Sequence, residues 1–555
     1  MARAHLADGG WTGDTFDGLF SRRVAEHPDR LALVDPPNTD ELIGRAEERL
    51  SWRELDDRVT DLAATLLRLG VRAGDVVAVQ LPNCSALVCT FLAVVRIGAI
   101  VTPFPMAYRE HEMRPMCART GASVAITGTA STERAVRAGV PTVLCWAGGS
   151  PPAGALAYRP GEIGDAQLAE MEQHRARHRA EPNDCVTICW TSGTEAQPKA
   201  VPRCHGDWLV IAAATRHSAG LGPDDVLLSP FPMTNMAGIS GMFLPWLAGG
   251  GVFAPHHPFD LPVFLHQLAR ERATYTVAPP ALLVTLLRNE RLLAQVDLSA
   301  LRLIGTGSAP LSPWVVRAWA DRHGVEIINF FGSNEGVGLA GDPADVPDPE
   351  LRATHFPNYS AAASNWSTPL AGHVAVRLVD AATGTEITEP GGRGELRISG
   401  PNVFAGYLGA DLTAPLDRSA FDDRGYFRSG DIFELAGEDG RYLRYVDRLK
   451  DLVIRGGMNI APAELEGLLV EHPLVGEVAV IGLPDEVLGE RVCAVVVPAP
   501  GGEPTLEELV AWLRDQHLAS YKLPERLALV DTLPRNPLGK VLKRDLRSRL
   551  ICDPA

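Results

Sequence analysis

Positions 190 to 202 read Trp190-Thr191-Ser192-Gly193-Thr194-Glu195-Ala196-Gln197-Pro198-Lys199-Ala200-Val201-Pro202. Hydroxyls and loop N–H groups donate to oxyanions, Gly193 permits close backbone approach, and Lys199 brings a positive charge, so the run suits wrapping phosphate oxygens. Glu195 opposes that task. A carboxylate about 4 Å from a phosphate charge is repelled by roughly 4 kcal/mol at an effective dielectric near 20. That is about a thousandfold in rate or affinity, and it falls on the outer phosphates of a nucleotide.

Other phosphate and nucleophile signatures are missing. There is no Gly-x-Ser-x-Gly nucleophile elbow and no Gly-x-x-x-x-Gly-Lys-Ser/Thr loop. Gly305-Thr306-Gly307-Ser308-Ala309-Pro310 follows a strand-like run and approaches Gly-x-Gly-x-x-Gly. Pro310 stands where the third glycine would let a helix pack on the sheet, so a dinucleotide fingerprint is not supported.

These residues must be positioned by a chain of 555, too long for a single core. Hydrophobic content of 46% with 22% charged residues describes a globular protein. The formal charge of -16 argues against binding nucleic acid through its backbone, whereas an anionic small molecule needs only a local basic pocket. Nine cysteines without a Cys-x-x-Cys pair or a Cys/His cluster read as buried free thiols in a reducing compartment, hence a cytoplasmic location. Met1 to Trp11 lacks the apolar stretch of a signal peptide, and Phe91 to Phe104 is too short to span a bilayer, so no membrane insertion is expected. That segment reads as a core helix followed by a strand.

Apolar runs at Val76 to Leu81, Ser123 to Thr127, Cys185 to Trp190, Thr274 to Val277 and Leu301 to Ile304 alternate with helical periodicity at Trp52 to Leu69 and Val263 to Arg272. The fold class is therefore α/β, with two α/β subdomains in a large N-terminal domain. From about 372 to 445 short β-like runs separated by Gly- and Pro-rich turns predict a β-rich subdomain. Beyond it, strands at Glu477 to Ile481 and Arg491 to Val497 and helices at Ala463 to Glu471 and Leu506 to Leu518 predict a small, mobile α+β domain. The boundaries read 1–447 and 448–555.

Seven segments occur in order: the loop at 190 to 202; Pro232-Met233-Thr234-Asn235-Met236-Ala237-Gly238; Gly307-Ser308-Ala309-Pro310; Asn329-Phe330-Phe331-Gly332-Ser333-Asn334-Glu335; Tyr426-Phe427-Arg428-Ser429-Gly430-Asp431; Asp447-Arg448-Leu449-Lys450-Asp451; and Pro534-Arg535-Asn536-Pro537-Leu538-Gly539-Lys540. Together they resemble the adenylate-forming superfamily of acyl-CoA and aryl-CoA ligases, peptide-synthetase adenylation domains and luciferases, from about Phe16 to Arg544.

The resemblance implies that a carboxylate attacks the α-phosphorus of ATP to give acyl-AMP, after which the small domain rotates and a thiol takes the acyl group. It assigns Thr191, Ser192, Gly193, Thr194 and Lys199 to the phosphates. Phe331 would stack on adenine, Asn329, Gly332 and the segment Ser308, Ala309 and Pro310 would line the base, and Asp431 would accept from both ribose hydroxyls, with Arg448 beside it. Asn334, where threonine is usual, would donate to the α-phosphate. Glu335 would hold Mg²⁺, a hard ion that prefers oxygen ligands. Lys540 would offset charge in the adenylation transition state, Lys450 would be the hinge, and Gly456 and Gly457 would line a CoA tunnel.

Asn235 replaces the usual histidine near the carboxylate, and Asn235, Met236, Gly238 and Gly307 would form the acyl pocket. No aspartate is present there to pair with an α-amino group, so an amino-acid substrate is disfavoured, and Met233, Met236, Met242 and Phe243 suggest an apolar acid. Glu195, Ala196 and Ala200 depart from the family loop. The expectation is a slowed adenylation step, with thioester formation from an acyl-adenylate supplied by a cooperating enzyme; a Glu195 turned to solvent or to metal would leave adenylation intact. A CoA ligase is favoured because the chain ends soon after Lys540. The alternative is a stand-alone acyl-AMP or aryl-AMP ligase loading a carrier protein, since Pro202-Arg203-Cys204-His205 resembles aryl-acid activating members.

Overall fold

The computed structural model describes all residues except 1, 147, 192–197, 362–364, 457, 486, 537–539 and 553–555. The alternating apolar runs form two mostly parallel sheets. One has seven strands in the order Leu156–Tyr158, Thr142–Trp146, Val124–Gly128, Val76–Gln80, Ile100–Pro103, Cys185–Thr191 and Lys199–Cys204. Its final pair alone is antiparallel. The phosphate-loop segment is therefore the hairpin connection at the carboxyl end of Cys185–Thr191, the end at which ligands bind in open parallel sheets. The second sheet has eight strands, in the order Gly338–Gly341, Glu326–Gly332, Leu303–Gly307, Tyr275–Val277, Val226–Ser229, Val252–Pro255, Leu31–Val34 and Arg49–Ser51. It is parallel inside and antiparallel at both edges.

Helices pack between and around these sheets. Trp52–Arg68 starts at a capping box in which Ser51 accepts from the Glu54 N–H and the Glu54 carboxylate accepts from the Ser51 N–H. Its Trp52 stacks on Trp246, with ring centroids 4.9 Å apart. Every residue of Ser85–Arg96 is buried, including Arg96, whose guanidinium meets Asp17 at 3.0 Å and Asp56 at 2.7 Å. A buried charge persists only with such partners. The eight described cysteines are free thiols. Among the described residues no helix is long and apolar enough to cross a membrane.

A six-stranded antiparallel sheet follows, in the order His355–Pro357, Tyr442–Arg448, Phe427–Ala436, Arg393–Ser399, Ala375–Val379 and Glu386–Ile387. The small domain is α+β. Its sheet runs Met458–Ile460, Val453–Arg455, Gly489–Pro498, Val475–Asp485, with Arg526–Leu529 beside Gly489–Pro498, and it carries the helices Pro462–Leu469, Leu506–Asp515 and Lys543–Cys552. It touches the large domain at Ser312, bonded to Glu471, and at Arg288, which donates to the carbonyl of Val470 at 3.1 Å.

One interior charge joins three parts of the large domain. Arg203 has none of its side chain exposed and meets Asp207 at 2.9 Å. It donates to the Asn334 carbonyl at 2.7 Å and the Asn402 carbonyl at 3.0 Å. Removing one partner of a buried pair strands the other charge. Arg203→Met is expected to lower unfolding stability by about 3–5 kcal/mol in a urea titration, and a loss within experimental scatter would exclude this role.

Candidate active site

The described end of the phosphate loop is anchored by the hairpin, in which Thr191 pairs with Lys199. Ser192, Gly193, Thr194, Glu195 and Ala196 lie outside the described residues. The Lys199 ammonium lies 5.1 Å from the centroid of the Tyr407 ring. The Tyr407 hydroxyl donates to Oε1 of Glu335 at 2.9 Å, and the Phe404 N–H donates to the Glu335 carbonyl at 2.9 Å. Gly336, immediately after Glu335, has φ +104°, and a Cβ there would lie 2.0 Å from the Asn402 carbonyl oxygen. Only glycine combines that backbone with that approach.

Across the site, Asp431 and Arg448 stand opposite each other on the antiparallel strands Phe427–Ala436 and Tyr442–Arg448, with Arg448 Nε 3.4 Å from Asp431 Oδ1. Burial pushes the Asp431 carboxyl up to about 6, while Arg448 and then Lys540 pull it back and Glu335 adds to the rise. Four predicted site residues from four separate segments therefore share one electrostatic environment. Lys540 belongs to the small domain. Its backbone is held by Asn536, whose Oδ1 accepts from the Lys540 N–H at 2.8 Å and whose N–H donates to the Lys540 carbonyl at 2.8 Å. As a residue it keeps contact with solvent, yet the surrounding protein desolvates its amino group, and with Arg448 this lowers its pKa to about 7. Lys450, exposed in the turn after Arg448, is lowered in the same direction by desolvation and by Arg448.

Asn329 is buried, and its amide nitrogen donates to the carbonyls of Arg352 at 3.3 Å and Ala353 at 2.7 Å, leaving its oxygen for any ligand. Phe331 is half-buried and packs against Phe433 at 5.0 Å and Tyr445 at 5.3 Å. Ser308, Ala309 and Pro310 are exposed at the carboxyl end of Leu303–Gly307, and Ser308 has φ +71°. The Gly307 backbone runs against Phe330, whose carbonyl oxygen a Cβ would meet at 2.3 Å.

On the acyl side, Asn235 accepts from the Gly238 N–H at 3.2 Å, capping a short turn, and Asn334 Oδ1 accepts from the Met236 N–H at 2.8 Å. The turn runs into a wide coil, Ile239–Phe243, in which the Leu244 N–H reaches back to the Ile239 carbonyl. Wide turns of this kind recur at functional sites. Met236 lies over Gly332, where a Cβ would come within 2.7 Å of its sulfur, and Gly238 is held against the Pro232 carbonyl. Gly456 takes φ +56° in the hairpin between Val453–Arg455 and Met458–Ile460, while Gly457 lies outside the described residues.

Residues 20–408 match the AMP-binding enzyme family and 464–540 match the AMP-binding enzyme C-terminal domain. The chain belongs to the adenylate-forming superfamily of AMP-binding enzymes. Feruloyl-CoA synthase of an Amycolatopsis species is 33% identical over 96% of this chain and 100% of its own. Pyochelin synthase PchD of Pseudomonas aeruginosa is 31% identical over 99% of this chain and 95% of its own. The ATP-bound structure of MatB from Rhodopseudomonas palustris superposes with a TM-score of 0.76 at 27% identity, covering 97% of this chain and 99% of that one. This protein is an adenylate-forming acid ligase of the acyl-CoA synthetase family.

Asn402 and Tyr407 were not legible as site neighbours in the sequence, because neither sits in a chemically distinctive local run, and Arg203 was read only as part of Pro202-Arg203-Cys204-His205. The lysines form a pattern of their own. Only five occur among 52 Lys and Arg residues, at 199, 450, 522, 540 and 543. Lys522 pairs with Glu464 and Lys543 with Glu466; Lys199, Lys450 and Lys540 are the three in the candidate site. Lysine is the cation whose charge an environment can tune. At pH 8 an amine-acylating reagent is expected to label Lys540 first, because its neutral form predominates there, and Lys543, whose pKa its carboxylates raise, last. Peptide mass spectrometry reads the order, and equal labelling would contradict the lowered pKa.

Proposed function

We propose that this protein joins an apolar carboxylic acid to CoA through an acyl-AMP intermediate. The observation that carries the reading is Lys540 of the small domain acting on Asp431 and Arg448 of the large domain, with Glu335 in the same field. In that arrangement the acid's carboxylate attacks the α-phosphorus, the bond to pyrophosphate breaks, and Lys540 offsets the charge gathered on the reacting oxygens. Asp431 accepts from the ribose hydroxyls as a buried carboxylate, Arg448 keeps it ionised, and Phe331 gives adenine an aromatic face.

Glu335 fits a magnesium ion. Tyr407 occupies one of its oxygens and no described hydrogen bond reaches the other, and among the described residues no three-residue His/Cys/Asp/Glu cage exists. One carboxylate plus substrate phosphates is how Mg²⁺ is usually held, and it would supply charge neutralisation across the phosphates. The second half-reaction follows rotation about Lys450, which brings Gly456 and Gly457 toward the acyl group; the thiol attacks the acyl carbon and AMP leaves. Met236 beside Gly332 supports an apolar acyl group. The CoA in the name of the feruloyl relative favours CoA over a carrier-protein thiol.

Glu195 sets the rate of the first half by repelling the outer phosphates. Supplied with ATP, Mg²⁺, CoA and an apolar acid, the protein is expected to release AMP and acyl-CoA slowly. With synthetic acyl-AMP and CoA it forms the thioester quickly. Glu195→Thr with Ala196→Gly is expected to raise the ATP-dependent rate at least tenfold and leave the acyl-AMP rate unchanged; no gain would remove Glu195 from the account. Absence of thioester from acyl-AMP with CoA, but not with a phosphopantetheinyl carrier protein, would reassign the thiol.

Protonation gives a further expectation. Asp431 must be ionised to accept from ribose, and burial raises its pKa to about 6, so AMP binding should weaken as pH falls below about 6. Lys540 must be charged in the first half, and its pKa is lowered to about 7, so adenylation should fall as pH rises through about 7. Lys540→Arg, charged at all these values, should flatten the upper limb. An unchanged limb in that variant would assign it to another group.

A further inference from the structure

Between the β-rich sheet and the two α/β units, residues 404–408 make four separate ties to the site. The Phe404 N–H donates to the Glu335 carbonyl at 2.9 Å, and the Leu408 N–H donates to the Ala200 carbonyl, one residue past Lys199, at 3.0 Å. The Tyr407 hydroxyl donates to Glu335 Oε1 at 2.9 Å, and the ring of Tyr407 carries the Lys199 ammonium at 5.1 Å from its centroid. Backbone and side chain thus reach both the exit of the phosphate loop and the acidic residue. Tyr407 is itself held, since its N–H and carbonyl exchange hydrogen bonds with Asp417 at 2.9 Å and 2.8 Å, and the residue is 8% exposed. Arg119 fixes the far end through the carbonyl of Leu408.

We infer that Tyr407 is a positioning residue for the metal-bound triphosphate: one side chain sets the orientation of the Glu335 carboxylate and the place of the Lys199 ammonium together. The physical argument has two parts. A hydroxyl donating to one carboxylate oxygen directs the other oxygen and fixes the plane of the group, as partners behind a metal ligand generally do. A ring face attracts a cation through its quadrupole, so the same ring restrains the place of the lysine. The inference rests on the reading of Glu335 and Lys199 as groups that hold Mg²⁺ and the outer phosphates.

The test uses binding in place of turnover. The full-length protein is titrated by calorimetry with α,β-methylene-ATP in Mg²⁺, with the same analogue in EDTA, and with AMP. Tyr407→Phe keeps the ring and deletes only the hydroxyl. It is expected to weaken the Mg²⁺ analogue about tenfold, to change the analogue in EDTA by less than threefold, and to leave AMP unchanged. Tyr407→Leu, which also deletes the ring, is expected to weaken the analogue in EDTA as well, through Lys199. In the Glu335→Gln background, Tyr407→Phe should cost little more, because its partner's charge is already gone; a purely structural tyrosine would instead give additive losses. Equal weakening of AMP and analogue, additivity with Glu335→Gln, or an unchanged Mg²⁺ analogue each overturns the proposal. Wild-type protein that binds AMP but no magnesium triphosphate overturns it too and leaves the nucleotide reading standing, whereas failure to bind AMP removes that reading and the proposal with it.

Discussion

The site depends on one charge that never reaches water. Arg203 is enclosed between the hairpin strand Lys199–Cys204, the segment holding Asn334 and Glu335, and the turn at Asn402, and it bonds to the backbone of both of the last two. Its planar fork presents five N–H donors in fixed directions and so serves several acceptors at once. Asp207 balances it, and the Trp208 ring lies 4.3 Å from the guanidinium carbon. Because a buried guanidinium must keep its donors satisfied, these three segments cannot drift independently. The acidic residue, the phosphate-loop exit and the 404–408 turn are thus held in one frame before any ligand arrives.

A second constraint acts at the domain boundary. Asp447, next to Arg448, accepts from the Ala463 N–H at 2.8 Å at the start of helix Pro462–Leu469, and burial raises its carboxyl to about 6 with Lys543 opposing. The small domain is therefore fastened close to the nucleotide cradle through the strand that also supplies Arg448. Among the described residues, direct bonds between the domains are also made by the Leu449 N–H to the Gly430 carbonyl at 2.9 Å and at Arg288 and Ser312. The crowding of Lys540, Lys450 and Arg448 in this arrangement favours an anionic occupant, because an anion relieves the mutual repulsion of the three cations.

Much of the architecture was legible in the chain. The apolar runs at Val76 and Cys185 became buried parallel strands, and the run from Phe91 to Phe104 became a buried helix and a strand, because continuous apolar stretches bounded by turn residues have few other places to go. The change to short alternating runs after 372 marked the antiparallel sheet. Asp431 and Arg448 could be named from their motifs, but their pairing is a matter of strand register. The structural roles of Arg203 and Tyr407 gave no local signal: an arginine beside a proline and a tyrosine after a glycine look like surface residues until segments 72 to 199 positions away close over them.

By itself the sequence determined the fold class and the family, because periodicity, residue type and motif order are local properties. Tertiary structure alone decided which charges act together. Asp431, Arg448, Lys540 and Glu335 become one electrostatic unit, and Lys199 and Glu335 share one tyrosine, only when four layers of the chain meet. The physical reason is range: hydrogen bonds and desolvation act over a few ångströms in space, and the spacing of residues along the chain does not specify which distant backbones will come that close.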